Sequence, residues 1–500
     1  MKKGKCFLVG AGPGDPGLLT LRGREVLGRA DIVVYDNLAN PELLGFVPDQ
    51  AELIYAGKKP GDHSMSQEDI NRLLVEKTAA GHRVVRLKGG DPYVFGRGAE
   101  EAEALAAARL DFEVVPGVSS ALAGPAAAGI AVTRRGVNEA LTIFTGHQDP
   151  ETAEGRAFYR GLGAQGGTLV MLMGLERLAG IADSLQQGGA SPDLPVAVVR
   201  RATMGDQVVL RAPLKEIASK VQSAGLRPPA IVVFGEVASV EHALQCARPL
   251  SGRRIVVTRS RAQVSKLAAA LRDLGADVYE MPLIKREPPE DLREFAELVQ
   301  DAHGYEWIVF TSANGVDAFF EIFYKLYDDA REIGGARFAA VGAATAQRLK
   351  DQHYHVDLVA EDFHSESLAA TFRKETDVEN VKILVVRPAE TSGTLALDLT
   401  KMGAIADEAI AYRTGPETSD RTRARHRLAE EGADLIVFTS SSTVRNFFAL
   451  HLKLPKDVQF ASIGPVTTKT LSEFKTKPSI EAKQHDINGL IEAILAHYTA

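Results

Sequence analysis

The chain has 500 residues, of which 45% are hydrophobic and 25% charged, so disordered and fibrous classes are excluded. Its length predicts about three domains, because one hydrophobic core rarely grows beyond about 300 residues. A net charge of −7 argues against a broad nucleic-acid-binding surface. The two cysteines, Cys6 and Cys246, are too few for a disulfide framework or a cysteine-rich metal site. Without a signal-peptide core or a membrane-spanning apolar run, we expect a metal-free, cytoplasmic protein that binds neither membrane nor nucleic acid.

The first predicted strand, residues 5–9, runs into a glycine-rich segment, GAGPGDPGLLT, at residues 10–20. The glycines formally satisfy the GxGxxG pattern of dinucleotide-binding loops, and Asp36 follows the next predicted strand, where a ribose-binding acid would lie. Pro13 and Pro16 disfavour that interpretation, because each removes a backbone N–H where a pyrophosphate needs donors. A nicotinamide dehydrogenase is therefore kept as a weaker alternative.

Two further strands end in loops of small residues. Residues 84–97 read VVRLKGGDPYVFGR, and residues 114–121 read VVPGVSSA, where serines begin a predicted helix. Loops that follow parallel strands meet at the carboxyl edge of the sheet, which is where open α/β sheets bind ligands. The alternative is that these loops are only tight strand–helix turns.

Together with YDNL at 35–38 and GKK at 57–59, these blocks resemble the uroporphyrinogen-III C-methyltransferases of the tetrapyrrole methylase family. The resemblance covers residues 4–243 and includes MLMGL at 171–175 and PPAIVVFGEV at 228–237. It implies two α/β lobes, a homodimer formed through this half, and S-adenosylmethionine bound between the lobes. It also implies two successive methylations of uroporphyrinogen III to precorrin-2.

The residues that match the family's motifs supply the expected site. The cofactor contacts would be Pro13, Gly89, Gly90, Asp91, Val94, Ser119, Ser120, Met173 and Ala202. The resemblance also points to Asp36 as proton acceptor and Lys58 as proton donor, although a turn cap and a solvated lysine explain these two residues as well.

One block departs from the family pattern. Residues 129–135 read GIAVTRR where the family commonly has GIPLTHR, so Arg134 replaces a histidine. Cations near these blocks would suit a substrate with eight carboxylates. The expected substrate-binding cations are Arg86, Lys88, Arg97 and Arg134, with Arg135 beside them; a solvated basic face is the alternative.

The segment ARPLSG at residues 247–252 predicts a linker, which separates a domain of residues 1–246 from one of residues 253–500. The second domain repeats itself, and each copy alternates strands with helices in the manner of a parallel α/β layer. The matching blocks are 254–259 with 382–387 and 308–312 with 436–440, both 128 positions apart, and 338–342 with 460–464, 122 positions apart. Chance likeness among β–α units is the alternative.

Hydroxyl-rich loops follow two of the repeated strands, at 311–314 and 439–443. A single such loop is a plain helix N-cap, whereas two that face one cleft predict an anion site, because helix N-termini present free N–H groups. No metal-ligand spacing occurs among the histidines of this half.

Residues 253–497 resemble uroporphyrinogen-III synthase, through VFTSANGV, AVGAATA, AYRT, FTSSSTV and IGPVTT. The resemblance implies a bilobed α/β fold with a two-stranded connection, in which 253–286 and 413–500 form lobe 1 and 287–412 form lobe 2. Hydroxymethylbilane would lie in the cleft and close through a spiro intermediate that inverts ring D.

In that resemblance Tyr412 assists departure of the substrate hydroxyl; a tyrosine of the core or of a hinge is the alternative. The carboxylate contacts would be Thr311, Ser312, Asn314, Gly342, Thr345, Arg387, Thr439, Ser440, Ser442, Gly464 and Thr467.

The sequence therefore predicts a bifunctional fusion that makes and then methylates uroporphyrinogen III, toward sirohaem or cobalamin. One alternative is a methylase of another precorrin; another is a C-terminal half that binds or senses tetrapyrroles without turnover.

Overall fold

The computed structural model describes residues 4–57, 65–239, 248–258, 261–360, 365–391, 393–417 and 419–499, with backbone alone at 261–265 and 365–366. The chain forms two compact units, Met1–Met281 with Ser419–Ala500, and Pro282–Thr418. We call these the first and the second unit. None of the helices in the described ranges is long and apolar enough to cross a membrane.

Within its described residues, the N-terminal half contributes ten strands to the first unit. They are β1 (Lys5–Gly10), β2 (Ile32–Tyr35), β3 (Glu52–Tyr55), β4 (Arg83–Lys88), β5 (Asp111–Val115), β6 (Leu141–Thr145), β7 (Thr168–Leu172), β8 (Pro195–Arg200), β9 (Val208–Pro213) and β10 (Ala230–Phe234). The helices between them are α1 (Leu21–Leu27), α2 (Gln67–Ala79), α3 (Gly98–Ala107), α4 (Ser120–Ala127), α5 (Ala153–Gln165), α6 (Leu178–Gln187) and α7 (Leu214–Ser223).

These strands build two sheets, ordered β3-β2-β4-β1-β5 and β6-β7-β10-β8-β9. The first sheet is parallel throughout, and its central strand β4 is buried from Val84 to Lys88. In the second sheet β10 is antiparallel to both β7 and β8. The prediction of two α/β lobes in this half is confirmed.

The part of the C-terminal half that the structure describes contributes eleven strands. They are β11 (Arg254–Thr258), β12 (Asp277–Glu280), β13 (Ile284–Glu287), β14 (Trp307–Phe310), β15 (Arg337–Ala340), β16 (Leu358–Val359), β17 (Lys382–Pro388), β18 (Ile405–Pro416), β19 (Leu435–Phe438), β20 (Gln459–Ser462) and β21 (Ile480–Glu481). Its helices are α8 (Arg261–Asp273), α9 (Leu292–Gln300), α10 (Ala313–Leu326), α11 (Ala343–Asp351), α12 (Ser365–Glu375), α13 (Thr394–Lys401), α14 (Ala424–Glu431), α15 (Ser441–Ala449), α16 (Pro465–Glu473) and α17 (Ile487–Thr499).

Two more sheets result, and their pairing confirms the predicted repeat. One of them lies in the first unit and is ordered β12-β11-β19-β20-β21. The other lies in the second unit and contains the equivalent run β18-β17-β14-β15-β16, with β13 added at its edge. Ile255 pairs with Leu435, and Ile383 pairs with Trp307, so both partners differ by the same 128 positions. The copies differ in chain order, because β14–β16 precede β17 and β18 whereas β19–β21 follow β11 and β12.

The second unit has two strands side by side where the chain enters and leaves it. β13 pairs antiparallel with the end of β18, and Ile284 lies opposite Pro416. This arrangement agrees with the two-stranded connection that the resemblance implied.

The segment predicted to be a linker is packed where it is described. Ala247 lies outside the described residues. Leu250 is fully buried in the core of the β11 sheet, and its N–H donates to the Leu274 carbonyl at 2.9 Å. The hydrophobic effect explains this packing, because burial of the Leu250 side chain in the adjacent core stabilises the folded state.

Candidate active sites

Three glycine loops meet at the carboxyl edge of the first sheet. Because β1, β4 and β5 are parallel neighbours, the segments after them converge on Gly10, Gly90 and Gly117. A Cβ built on Gly117 would lie 2.2 Å from the Gly90 oxygen and 2.6 Å from Gly10 Cα. The backbones approach so closely that no larger residue fits at this position.

Polar side chains tie these loops together. The Asp91 carboxylate accepts hydrogen bonds from the N–H groups of Tyr93, at 2.8 Å, and Gly117, at 3.0 Å. Ser119 caps α4 by accepting from the N–H of Ala121 at 3.3 Å. Asp91 therefore links the loop after β4 to the loop after β5, and Ser119 fixes the start of α4.

The arrangement leaves room in front of α4. Gly90 has a φ of +67°, and a Cβ built there would have the Ser120 nitrogen at 3.8 Å as its nearest neighbour. Half-buried Pro13 and Val94 border the same loops, and the backbone of Gly89 packs against Leu38. Backbone amides, small side chains and open space fit a zwitterionic nucleoside cofactor such as S-adenosylmethionine.

The remaining two predicted cofactor contacts lie at one edge of the second sheet. Leu172 pairs with Ile231, and Ile231 pairs with Val199, so Met173 and Ala202 follow strands that end at that edge. Helix α4 reaches it, since a Cβ built on Gly124 would lie 3.4 Å from that of Ala202. Met173 has a φ of 54° and is exposed, whereas Ala202 is buried.

Asp36 belongs to a row of four charged groups. It accepts from Arg86 Nη2 at 2.8 Å and from the Leu38 N–H at 3.0 Å. Behind it, Glu101 accepts from Arg86 Nε at 3.1 Å and from Lys88 Nζ at 2.8 Å. Asp36 is the partly exposed end of this row, with 25% of its side chain accessible.

Two expected substrate-binding cations are therefore corrected to buried structural ones. Arg86 and Lys88 are 3% and 4% exposed, and both contact Glu101, which is fully buried. Burial lowers the pKa of Lys88, and the nearby Arg86 charge acts in the same direction. An ammonium in such surroundings needs its carboxylate partner, so we do not assign substrate binding to either residue.

The other predicted residues of this half are placed differently. Arg97 is exposed and pairs with Glu100 at 2.7 Å, in the first turn of α3. Arg134 is exposed in the connection between α4 and β6. Lys58 lies outside the described residues, so its assigned role stays a prediction.

Tyr412 lies in the second unit, on β18, and is 7% exposed. Its hydroxyl is 3.1 Å from Ser312 Oγ, and Ser312 also caps α10 by accepting from the Gly315 N–H at 3.1 Å. The tyrosine ring packs in the core that contains Phe310 and Phe319. The predicted tyrosine and one predicted hydroxyl therefore form a single hydrogen-bonded pair at the start of a helix.

The other predicted contacts of the second unit surround the strand ends. Thr311 Oγ1 donates to the Val386 carbonyl at 3.3 Å, and half-buried Asn314 lies in the first turn of α10. Gly342 precedes α11 without a side-chain cap, and Thr345 is 4% exposed. Arg387 pairs with Glu408 at 2.8 Å.

Counterparts lie at the strand ends of the β11 sheet in the first unit. Ser440 caps α15 and its Oγ is 3.0 Å from that of Ser442, which is exposed; Thr439 is half-buried. Gly464 precedes α16 without a side-chain cap, and Thr467 is 4% exposed.

The sequence interpretation missed the residues on either side of Ala202. Arg201 and Thr203 have φ values of 46° and 71°, which non-glycine residues rarely adopt. Thr203 Oγ1 accepts from the Asp15 N–H at 3.0 Å and so joins the loop to the glycine-rich segment. The only available signal was the small residue Gly205 shortly after a strand.

Comparison with known proteins matches a different family to each half of the chain. The family described as Tetrapyrrole (Corrin/Porphyrin) Methylases matches residues 5–218, and the family described as Uroporphyrinogen-III synthase HemD matches residues 265–492. A solved structure of the uroporphyrin-III C-methyltransferase from Thermus thermophilus, complexed with S-adenyl homocysteine, is 40% identical. It matches 48% of this chain and 100% of its own, with a TM-score of 0.41.

Two curated relatives extend across the division. The porphyrin biosynthesis protein HemD of Ruminiclostridium josui is 34% identical over 498 residues, which are 99% of this chain and 98% of that protein. The uroporphyrinogen-III C-methyltransferase of Bacillus subtilis is 38% identical over 363 residues, 72% of this chain and 74% of that protein. The chain thus belongs to the tetrapyrrole methylase family in its first half and to the uroporphyrinogen-III synthase family in its second, as a bifunctional enzyme of tetrapyrrole biosynthesis.

Proposed function

We propose that the N-terminal half methylates uroporphyrinogen III twice and releases precorrin-2. The observation that carries this proposal is the edge where Gly10, Gly90 and Gly117 meet beside the start of α4. S-adenosylmethionine would supply an electrophilic methyl group. The nine predicted contacts, from Pro13 to Ala202, would hold it through backbone groups and small side chains, with Asp91 keeping two of the loops together.

Asp36 would accept the proton that the substrate loses during or after transfer of the methyl group; the methylated carbon itself carries no hydrogen. Arg86 fixes its carboxylate by a 2.8 Å contact, and its partial exposure leaves an oxygen edge toward solvent and substrate. An electron-rich pyrrole carbon needs in-line positioning more than activation, so a fixed, accessible carboxylate is sufficient. Arg97 and Arg134 are the exposed cations that remain as candidates for binding substrate carboxylates.

Asp36→Asn should slow methylation and leave binding of S-adenosylhomocysteine unchanged. The matched control is Glu113→Gln, another acid of the first sheet, which pairs with Arg22 and Lys5. Unchanged methylation by Asp36→Asn would remove Asp36 from the mechanism. Transfer to a different precorrin but not to uroporphyrinogen III would identify another member of the family.

We further propose that the C-terminal half closes hydroxymethylbilane to uroporphyrinogen III with inversion of ring D. The contact of Tyr412 with Ser312 carries this proposal, because it fixes a phenol at a helix N-terminus. The phenol would donate a hydrogen bond to the departing hydroxyl, and Ser312 would orient it. Closure then requires control of geometry, since the substrate loses its hydroxyl readily.

Carboxylate sites would lie at the starts of α10 and α11 in the second unit, and at the starts of α15 and α16 in the first unit. Gly342 and Gly464 precede α11 and α16 and provide no side-chain cap, so the N–H groups of the first turns would be available to an anion, apart from Pro465, which has none. Thr345 and Thr467 are buried in the same turns, which favours a backbone contribution over a contact through their hydroxyls.

The full chain supplied with hydroxymethylbilane tests both activities. Without S-adenosylmethionine we expect uroporphyrinogen III, and with it a product that has gained two methyl groups and lost two protons. Accumulation of the type I isomer alone would show that the C-terminal half does not catalyse closure, which leaves the alternative of a half that binds or senses tetrapyrroles.

We also propose that the protein is a homodimer formed through the methyltransferase half. Sedimentation of the full chain and of residues 248–500 should then give a dimer for the former alone.

A further inference from the structure

The loop of residues 201–207 links β8 to β9 and contains Ala202, a proposed cofactor contact. The left-handed backbone of Arg201 and Thr203 is adopted rarely outside glycine and persists where neighbouring groups hold it. The Thr203 N–H donates to Gln207 Oε1 at 2.8 Å, and Gln207 Nε2 donates to the Ala127 carbonyl at 3.0 Å. These contacts come from the methyltransferase half itself.

Backbone contacts from the linker segment and from the synthase half hold the same loop. The Gly252 N–H donates to the Gly205 carbonyl at 2.6 Å. A Cβ built on Gly205 would lie 2.2 Å from the Asp277 nitrogen, so the loop and the start of β12 touch without a side chain between them. All of these residues belong to the first unit.

Charged groups of the synthase half also surround the loop. Arg201 Nε donates to Asp206 at 2.6 Å, and Asp206 is 3.6 Å from Arg254. Arg201 Nη2 lies 3.9 Å from the Asp277 carboxylate and 3.8 Å from that of Glu431. Arg201 thus carries its positive charge between acids supplied by the other enzyme.

Asp277 is fixed independently of the loop. It is 4% exposed, and Arg427 Nη2 donates to its two oxygens at 3.2 and 3.1 Å. Arg427 in turn lies over the Tyr279 ring, 3.9 Å from its centre. The carboxylate that faces Arg201 is therefore anchored within the synthase half.

A second contact reaches the glycine-rich segment. Arg272 of the synthase half hydrogen-bonds both Glu280, at 2.7 Å, and buried Glu42 of the methyltransferase half. Two residues before Glu42, Asn40 Nδ2 donates to the Gly14 carbonyl at 2.7 Å. The synthase half thus supports two of the loops proposed to bind the cofactor.

The internal repeat shows that the charge at Asp277 is not a requirement of the fold. Asp277 pairs with Arg254 at the start of β12, and the equivalent pair in the second unit is Ile405 with Lys382. Ile405 is 50% exposed. The acid therefore occurs in the copy that contacts the methyltransferase, and an apolar residue takes its place in the other.

We propose that the synthase half positions the cofactor loop of the methyltransferase, with Asp277 and Glu431 acting on Arg201. This inference rests on the proposed function, in which Ala202 contacts S-adenosylmethionine. Asp277 is a positioning residue, since it acts on the cofactor through the loop. Affinity for the cofactor then depends on the synthase half, although the two reactions use separate sites.

The test compares Asp277→Asn with Ile405→Asn in the full chain. For Asp277→Asn we expect the Kd of S-adenosylhomocysteine and the KM of S-adenosylmethionine to rise about three- to tenfold, the effect of one charge contact, with a smaller change in kcat. Ile405→Asn should change neither value. Closure of hydroxymethylbilane should be unchanged in Asp277→Asn, because Asp277 is outside the proposed synthase site.

Two additional measurements keep the test decisive. Glu431→Gln alters a partly exposed acid and should weaken cofactor binding less than Asp277→Asn, with no loss of folding. Amide hydrogen exchange at residues 201–207, measured without cofactor, should accelerate in Asp277→Asn and in Glu431→Gln. Equal exchange and an equal Kd in wild type and Asp277→Asn would overturn the inference. If the wild type binds no S-adenosylhomocysteine, the proposed function fails, while exchange still tests whether the synthase half holds the loop.

Discussion

The two sheets of the synthase half are copies of one architecture that differ in the length of one strand. In both, five strands occur in the same order and register, and a phenylalanine of the following helix meets the strand edge-to-face. The rings of Phe310 and Phe319 are 5.4 Å apart, as are those of Phe438 and Phe447. The difference lies beyond the equivalent residues Glu280 and Glu408, because β12 ends there and β18 continues to Pro416.

That extension carries Tyr412 and thereby distinguishes two otherwise equivalent serines. Ser312 and Ser440 both cap a helix after the sequence Phe-Thr-Ser. Ser312 Oγ contacts the Tyr412 hydroxyl, whereas Ser440 Oγ contacts Ser442. The repeat supplies the scaffold in both copies, and a strand extension in one copy supplies the proposed chemistry.

The largest effect on stability should come from the phenylalanine that occupies the equivalent core position in each copy. Phe319→Ala and Phe447→Ala should each destabilise their own unit by about 3–5 kcal/mol, because both remove a buried aromatic ring and leave a cavity. Trp307 is the only tryptophan of the chain and is buried in the second unit, so its fluorescence follows that unit in urea. Phe319→Ala should lower the midpoint of this transition. An equal shift of the midpoint with Phe447→Ala would contradict the expectation that each phenylalanine stabilises its own unit.

Tyr412→Phe should separate the copies by function. Losing the hydroxyl should slow formation of the type III isomer about 100-fold, or about 2.7 kcal/mol, as expected for removal of a proton-donating group. The ring stays in the core, so the Trp307 transition should move by only about 1 kcal/mol, the value of one hydrogen bond. The control is Tyr305→Phe, which removes a hydroxyl bonded to Asp407 in the same core. A normal rate of type III formation in Tyr412→Phe would assign the tyrosine to the core alone.

Gly342 and Gly464 test how alike the helix starts are. Gly342 has φ 82° and ψ 159°, a conformation almost restricted to glycine, whereas Gly464 has φ 166° and is extended. Gly342→Ala should therefore cost about 1–3 kcal/mol through backbone strain. Gly464→Ala should cost less, since any residue can adopt its φ and the atoms nearest to a Cβ built there belong to the side chain of His485, which can move. Equal losses in the urea transitions of the two units would show that backbone conformation is not the deciding factor.

The serine caps should give the smallest effect. Ser312→Ala and Ser440→Ala should each cost about 1 kcal/mol of stability, the usual value of an N-cap. Ser312→Ala should also reduce the rate of type III formation several-fold through Tyr412, whereas any effect of Ser440→Ala should be on the KM for hydroxymethylbilane. If both variants change KM alone, the contact with Tyr412 has no part in closure.

The fold was predictable because its signals are local in the chain. Apolar runs such as Ile255–Val257 and Trp307–Phe310 mark buried parallel strands, and the offset of 128 positions marks which strands are equivalent. The glycine segments were also readable, because close contact of three backbones restricts residue type at Gly10, Gly90 and Gly117.

The prediction was weaker for charged residues. In the sequence, Arg86 and Lys88 look like surface cations, because each is separated from the next by one apolar residue, as on a strand with one face in solvent. The parallel sheet buries both faces of this strand. Their partner Glu101 lies on a helix 13 or more positions away, with no pattern that links it to them. The packed segment at Leu250 was missed for a similar reason, since turn residues around it dominate the sequence signal.

The sequence by itself determined the four α/β layers, the internal repeat and the glycine loops, because hydrophobic patterning and steric limits act on neighbouring residues. Only the tertiary structure decided which cations are buried, that Tyr412 meets Ser312 across 100 positions, and that Asp277 faces Arg201. Those pairs depend on how separate elements pack, and the energy of an ion pair or hydrogen bond depends on the burial that packing creates.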